Sequence, residues 1–287
     1  MYVDHWQLSG KPFEPCADEE FYYPGQSHQG TLLKLRYALE SHRHAALLAG
    51  PSGTGKTLLV RHLSAQLPAA CRPIVHLVFP LLSQRELLAH LAHEFCGPGQ
   101  SGDAASTDTS LRRIHAALAA NARKGQQAVL FVDEAHSISD HAAMETLRLL
   151  INLQQDDRPL LSLVLVGQPP LLSTLAAMPA FDERFSVKAL LVPLDEEGAI
   201  RYIRHRLAAA GARRAIFSDA ALETIARLTQ GIPRQINRLG DLALLVGYAE
   251  GLDQIEREHV EPVFDELIAL PSFGPAKTAR TPGEQAA

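Results

Sequence analysis

The eight residues GPSGTGKT, Gly50 to Thr57, have the types and the spacing needed to hold a triphosphate. They fit the pattern G-x-x-x-x-G-K-[ST] without a mismatch. The apolar run HAALLAG before them reads as a buried strand, and LLVRHLSAQL after them carries apolar residues at helical spacing. Strand, glycine-rich turn and helix are the setting in which such a pattern binds phosphate. Gly50, Gly53 and Gly55 let backbone N–H groups turn inward without Cβ clashes, and the helix N-terminus adds partial positive charge. Pro51, Ser52, Thr54 and Leu58 complete the expected binding segment. Lys56 is expected to reach the β- and γ-phosphates, and Thr57 to place its hydroxyl on Mg²⁺. The chain is expected to bind a nucleoside triphosphate.

A second motif, AVLFVDEAH, delivers two carboxylates at the end of an apolar strand. Ligands of open α/β sheets sit outside the carboxyl ends of the strands. There Asp133 is expected to hold the Mg²⁺ shell and Glu134 to polarise the attacking water. The letters DEAH also suit a helicase, but a helicase of that type needs two such sheet domains and the motifs here supply one. His136 is expected to hydrogen-bond across the edge of the site. Gln168 ends another apolar strand, which Pro169 and Pro170 stop. Its amide either faces the γ-phosphate or the attacking water, or caps its own turn. Arg184, in FDERF, either stabilises transition-state charge on a neighbouring subunit's γ-phosphate or pairs with Asp182 or Glu183. Arg234, in GIPRQINR, follows Gly and Pro on the first turn of a helix. Its guanidinium either grips the β/γ-phosphates from a domain junction or makes a salt bridge to the core.

These groups need a scaffold. RPIVHLVFP, QAVLFVDEAH, LLSLVLVGQ and FSVKALLVPL read as further strands, apolar on nearly every residue as parallel strands covered on both faces are. With HAALLAG they make five strands alternating with helices, so a five-stranded parallel α/β sheet is expected over 44–194. Ser110 is the expected N-cap of SLRRIHAALAANARKG, with Gly125 beyond its end, and Gly97 to Ser110 is expected to be a surface loop. Residues 1–43 read as an aromatic, proline-punctuated lead-in followed by a helix. From 195 to 270 only helical patterns occur, opened by acidic or Ser/Asp residues and closed by Gly, which predicts a small helical lid. Residues 271–287 are too polar to order themselves.

Composition sets the outer limits. A chain of 287 residues with 46% hydrophobic content fits an ordinary globular protein of one or two domains. A net charge of −5 gives no overall basic footprint, and the basic run RYIRHRLAAAGARR has Tyr202, Ile203 and Leu207 at core spacing. Three cysteines, widely spaced, suggest a reducing compartment rather than a disulfide framework or zinc site. His42/His44 and His90/His93 lack the companion ligands of a known metal spacing. The opening MYVDHWQLSGKPF is no signal peptide, and no stretch has the length of a membrane span. A cytoplasmic protein is expected.

Phosphate loop, Asp-Glu strand, polar strand end, arginine before the last strand and G-x-P-R in a helical lid together resemble an AAA+ ATPase. More narrowly, the chain resembles the ExeA/GspA-like (general secretion pathway protein A-like) family. MYVDHWQLSGKPF, YYPGQSHQGTLLKLRYAL, VDEAH followed by METLRLLINLQQD, VLVGQPPL and GIPRQINRLGDLALL carry that resemblance, from Met1 to about Leu270. It implies ATP as the nucleotide, the roles above for Lys56, Thr57, Asp133, Glu134, Gln168, Arg184 and Arg234, and an adenine pocket edged by Phe21 to His28. Lys188 and His136 stand where arginine and glutamine are common in the family. Secretion members usually continue into a membrane span and a peptidoglycan-binding domain, where this chain has a polar tail. A homo-oligomer is expected, working in assembly of a secretion or pilus complex at the inner membrane through a separate membrane-protein partner. Alternatives are a target-selecting ATPase of DNA transposition and a nucleotide-dependent signalling switch. DNA is the less favoured partner.

Overall fold

The computed structural model describes residues 1–14, 21–97 and 106–269. The polar tail and Cys16 lie outside the described residues, as does most of the loop expected between Gly97 and Ser110. The chain divides into two compact units, one of residues 22–194 with 232–234, the other of residues 1–21, 195–231 and 235–287.

The first unit is built on a parallel sheet of β1 (Ala45–Ala49), β2 (Ile74–Leu77), β3 (Ala128–Val132), β4 (Leu161–Gly167) and β5 (Phe185–Leu190). Its spatial order is β2-β3-β4-β1-β5, every neighbouring pair parallel. Alternate side chains of each central strand feed two different cores. Leu47, Leu130, Leu163 and Leu165 pack on one face with Leu87 and Leu91 of α3 (Gln84–Cys96), Ile114 and Leu118 of α4 (Thr107–Ala122) and Leu147 of α5 (His141–Leu150). Leu48, Phe131, Val164 and Val166 pack on the other with Leu35 and Leu39 of α1 (Gln26–Glu40) and Leu59 and Leu63 of α2 (Lys56–Gln66). Burial on both faces explains why these strands read as unbroken apolar runs. Each fully buried leucine contributes about 2 kcal/mol.

One local expectation is corrected. Helix α4 begins at Thr107, with Ser106 as its N-cap accepting the Thr109 N–H at 3.2 Å, whereas Ser110 lies inside the helix and is buried. After α5 the chain forms a short antiparallel pair, Gln154–Gln155 with Arg158–Pro159.

The second unit contains α7 (Glu196–Ala209) and α8 (Asp219–Leu228), most of α9 (Pro233–Ala249), and α10 (Arg257–Ala269), numbered after α6 (Pro170–Ala176) of the sheet unit. Asp195 and Ser218 cap the first two through side chains that accept the Gly198 and Ala221 N–H groups. The lead-in expected as one segment over 1–43 is divided: residues 1–21 belong to this helical unit and 22–43 to the sheet unit. Trp6 is fully buried, with its indole N–H donating to Leu244 O at 2.9 Å, and Tyr2 Oη donates to Asp241 at 2.6 Å. Helix α9 receives the aromatic rings at two glycines seven positions apart. A Cβ on Gly240 would lie 2.7 Å from the Phe13 ring, and one on Gly247 would lie 2.8 Å from Trp6. Among the described residues no helix is long and apolar enough to cross a membrane.

Candidate functional site

Sheet order decides which strand ends meet. β4 lies between β3 and β1, so Gln168 follows the strand that separates the Asp133 end from the phosphate loop. The loop turns through left-handed Gly53 (φ +81°) and Gly55 (φ +96°), the latter capping α2. Thr57 Oγ1, on the first turn of α2, donates to Asp133 Oδ2 at 2.6 Å across the intervening strand. Asp133 is buried, and its other oxygen accepts the Glu134 N–H at 2.8 Å. Lys56 is also buried and donates to the carbonyls of Gly50 and Pro51, each at 2.9 Å. Burial draws its pKa below the usual lysine value, against the opposing pull of Glu134 and Asp133.

Glu134 has a strained backbone. Its backbone is left-handed (φ 51°), a conformation a glutamate adopts only where its surroundings impose it, and such residues cluster at functional sites. Its side chain is half-exposed, whereas that of His136 beside it is largely buried. Arg234 belongs to the sheet unit. Its N–H donates to Gly53 O at 3.2 Å and its guanidinium reaches Ser52 Oγ at 3.4 Å, so it is seated on the phosphate loop itself. Thus Lys56, Thr57, Asp133, Glu134, Gln168 and Arg234 gather at one end of the sheet.

Arg184 does not join them. Phe185 pairs with Ala45 at the start of β1, whereas the phosphate loop follows the end of that strand. Five strand residues separate the two, a span of about 16 Å. There Arg184 stands near His44, whose imidazole is held below its usual pKa by burial first and this positive charge second. Asp182 is taken by Lys188, which donates to both its oxygens at 2.6 Å. Among the described residues neither Asp182 nor Glu183 forms an ion pair with Arg184.

The Phe21–His28 segment is divided too. Phe21 belongs to the helical unit, with the Arg206 guanidinium 4.7 Å above its ring. Tyr22 stacks on His62 at 4.1 Å in the sheet unit. His28 is buried against the phosphate loop, its Nε2 bonded to Thr54 O at 2.9 Å. Spacing alone did not assign His28 this support of the loop, because the bond spans 26 residues.

Known proteins resemble this chain. A family model described as an AAA domain matches residues 39–175. Over 263 residues, 89% of the chain, the protein is 36% identical to general secretion pathway protein A of Aeromonas hydrophila. The chain spans 46% of the length of that relative. Among solved structures it is similar to Cdc6p from Pyrobaculum aerophilum, with a TM-score of 0.68 and 18% identity, covering 89% of this chain and 70% of that one. It is also similar to the Aeropyrum pernix ORC2 protein in ADPNP–ADP complexes, with a TM-score of 0.64 and 16% identity, covering 90% and 74%. For the Thermotoga maritima RuvB Holliday junction branch migration motor the TM-score is 0.54 at 23% identity, covering 87% and 74%. At such identities these structures speak for the fold. The relative's 36% identity, the AAA-domain match and the phosphate-loop geometry together make this chain an AAA+ P-loop protein similar to general secretion pathway protein A.

Proposed function

We propose that this chain binds ATP with Mg²⁺ and hydrolyses the terminal anhydride. The observation that carries the reading is the 2.6 Å hydrogen bond from Thr57 Oγ1 to Asp133 Oδ2, beside Lys56 and one residue before Glu134. A hydroxyl and a carboxylate are the hard oxygen donors Mg²⁺ takes, the rest of its shell being water and phosphate oxygens. Among the described residues no cluster of three metal-ligating His, Cys, Asp or Glu side chains occurs, which suits an ion held largely by its nucleotide. Once bound, Mg²⁺ would neutralise charge on the β/γ-oxygens. Lys56 exchanges its two carbonyl partners for phosphate oxygens, and Arg234 adds a second cation from the loop's outer side. Glu134 accepts a hydrogen bond from the attacking water and takes its proton as the γ-phosphorus–oxygen bond to ADP breaks. The Gln168 amide orients that water or the γ-phosphate. Arg184, remote from its own loop, acts on the γ-phosphate of a neighbouring copy in a homo-oligomer.

The cycle serves assembly of a cell-envelope complex of secretion or pilus type, through a separate membrane-protein partner that holds the chain at the inner membrane. Support for this finer reading is the name of the 36% identical relative. Phosphate release by the purified protein, with Mg²⁺ and with excess chelator, tests the chemistry. The parent hydrolyses ATP only with Mg²⁺, and Lys56→Ala binds ATP weakly. Equal turnover in chelator, or full ATP affinity in Lys56→Ala, would contradict the site assignment.

A further inference from the structure

Beyond Asp133 and Glu134 the chain makes a single tight turn, Ala135–Ser137, which brings the His136 ring between two residues of the site. The Gln168 N–H donates to His136 Nδ1 at 3.4 Å. On the opposite side of the ring, Nε2 lies 3.5 Å from Glu134 Oε2. An imidazole nitrogen that accepts an N–H bears a lone pair, so the ring hydrogen sits on Nε2 and faces the carboxylate. Both contacts are long, as such bonds commonly are before a nucleotide closes the site. The packing around the ring is tight. A Cβ on Gly167 would stand 2.9 Å from Leu171 Cδ2, 3.2 Å from His136 N and 3.4 Å from Nδ1, so little space is left beside the ring at this strand end.

We propose that His136 is a positioning residue that sets the direction of the Glu134 carboxylate and ties it to the Gln168 peptide at the end of β4. One ring then links the group that orients water to the strand end that faces the γ-phosphate. A displacement of the Gln168 peptide moves the hydrogen-bond donor that Glu134 sees. The role of Glu134 in this link rests on the hydrolysis reading above; the contact between His136 and Gln168 does not.

Two measurements on three variants test it: amide exchange at Gln168 in the nucleotide-free protein, and kcat and KM for ATP. Asn in place of His136 retains an acceptor near the Nδ1 position but does not reach Glu134, whereas Gln carries a donor to the Nε2 position. In His136→Ala, Gln168 exchange rises on the order of tenfold as its acceptor is lost. Its kcat falls roughly tenfold or more while KM stays within about twofold. His136→Asn restores slow exchange with kcat still low, and His136→Gln recovers more kcat than His136→Asn. Unchanged Gln168 exchange in His136→Ala overturns the link to β4. A kcat in His136→Ala within about twofold of an active parent overturns the positioning of Glu134. A parent inactive with Mg²⁺-ATP overturns the hydrolysis reading instead, and the exchange data still decide the contact.

Discussion

At Gly53 the phosphate loop has no room for a side chain. Its φ of +81° is left-handed, and a Cβ there would lie 2.8 Å from Arg234 Cβ and 3.1 Å from Ile232 Cγ2. Gly53→Ala is therefore expected to cost about 1–3 kcal/mol of stability and to weaken ATP binding by roughly tenfold or more. Thermal melting and equilibrium titration check both, and unchanged values in each would contradict the crowding argument. Residues whose chemistry depends on local spacing were legible: Lys56 and Thr57 follow from one eight-residue pattern, Asp133 and Glu134 from one strand end. The seating of His28 was not, and for His136 only a hydrogen bond across the edge of the site was read, not its partner. Their partners Thr54 and Gln168 lie 26 and 32 residues away, and only the folded sheet brings them together.

Among the elements, the strands were legible because two cores demand apolar residues on both faces of the sheet. Helix ends were less so. Ser106 and Ser110 are the same residue type one helical turn apart, and only the backbone tells which one caps α4. The two should differ on truncation. Ser106→Ala loses a cap at a cost of about 1 kcal/mol. Ser110→Ala removes a buried hydroxyl that has no hydrogen-bond partner among the described residues, and is expected to be neutral or stabilising. Denaturant unfolding of both variants decides the assignment, and the reverse order would return the cap to Ser110. The place of the first residues was not legible either, because Trp6 meets Leu244 across 238 positions. Trp6→Ala is expected to destabilise by about 3–5 kcal/mol, and Gly247→Ala, which crowds the same ring, by about 1–3 kcal/mol. Melting curves that match the parent's would contradict this packing.

For the whole molecule, Arg184 and the arginines of the basic run make opposite predictions. Arg184 stands too far along the sheet from its own phosphate loop to touch the γ-phosphate bound there. Turnover per subunit should therefore rise with protein concentration, and ATP should favour larger assemblies in light scattering. A fully active monomer would remove Arg184 from the mechanism. The basic run after residue 200 is largely neutralised within the fold: Arg201 pairs with Glu197, Arg204 with Asp219 and Arg214 with Asp253. Phosphate binding scales with gathered positive charge, so duplex DNA is expected to stimulate hydrolysis by no more than about twofold at physiological salt. ATP-dependent, salt-sensitive DNA binding at submicromolar concentration would contradict that and favour a role in transposition. The central claim is that the whole chain turns over ATP through one carboxylate, and Glu134→Gln isolates it. Phosphate release and ATP affinity are measured on this variant and the parent in parallel, with Mg²⁺ present. The account predicts parent-like ATP binding with hydrolysis lowered about 10²- to 10⁴-fold; hydrolysis equal to the parent's would contradict it.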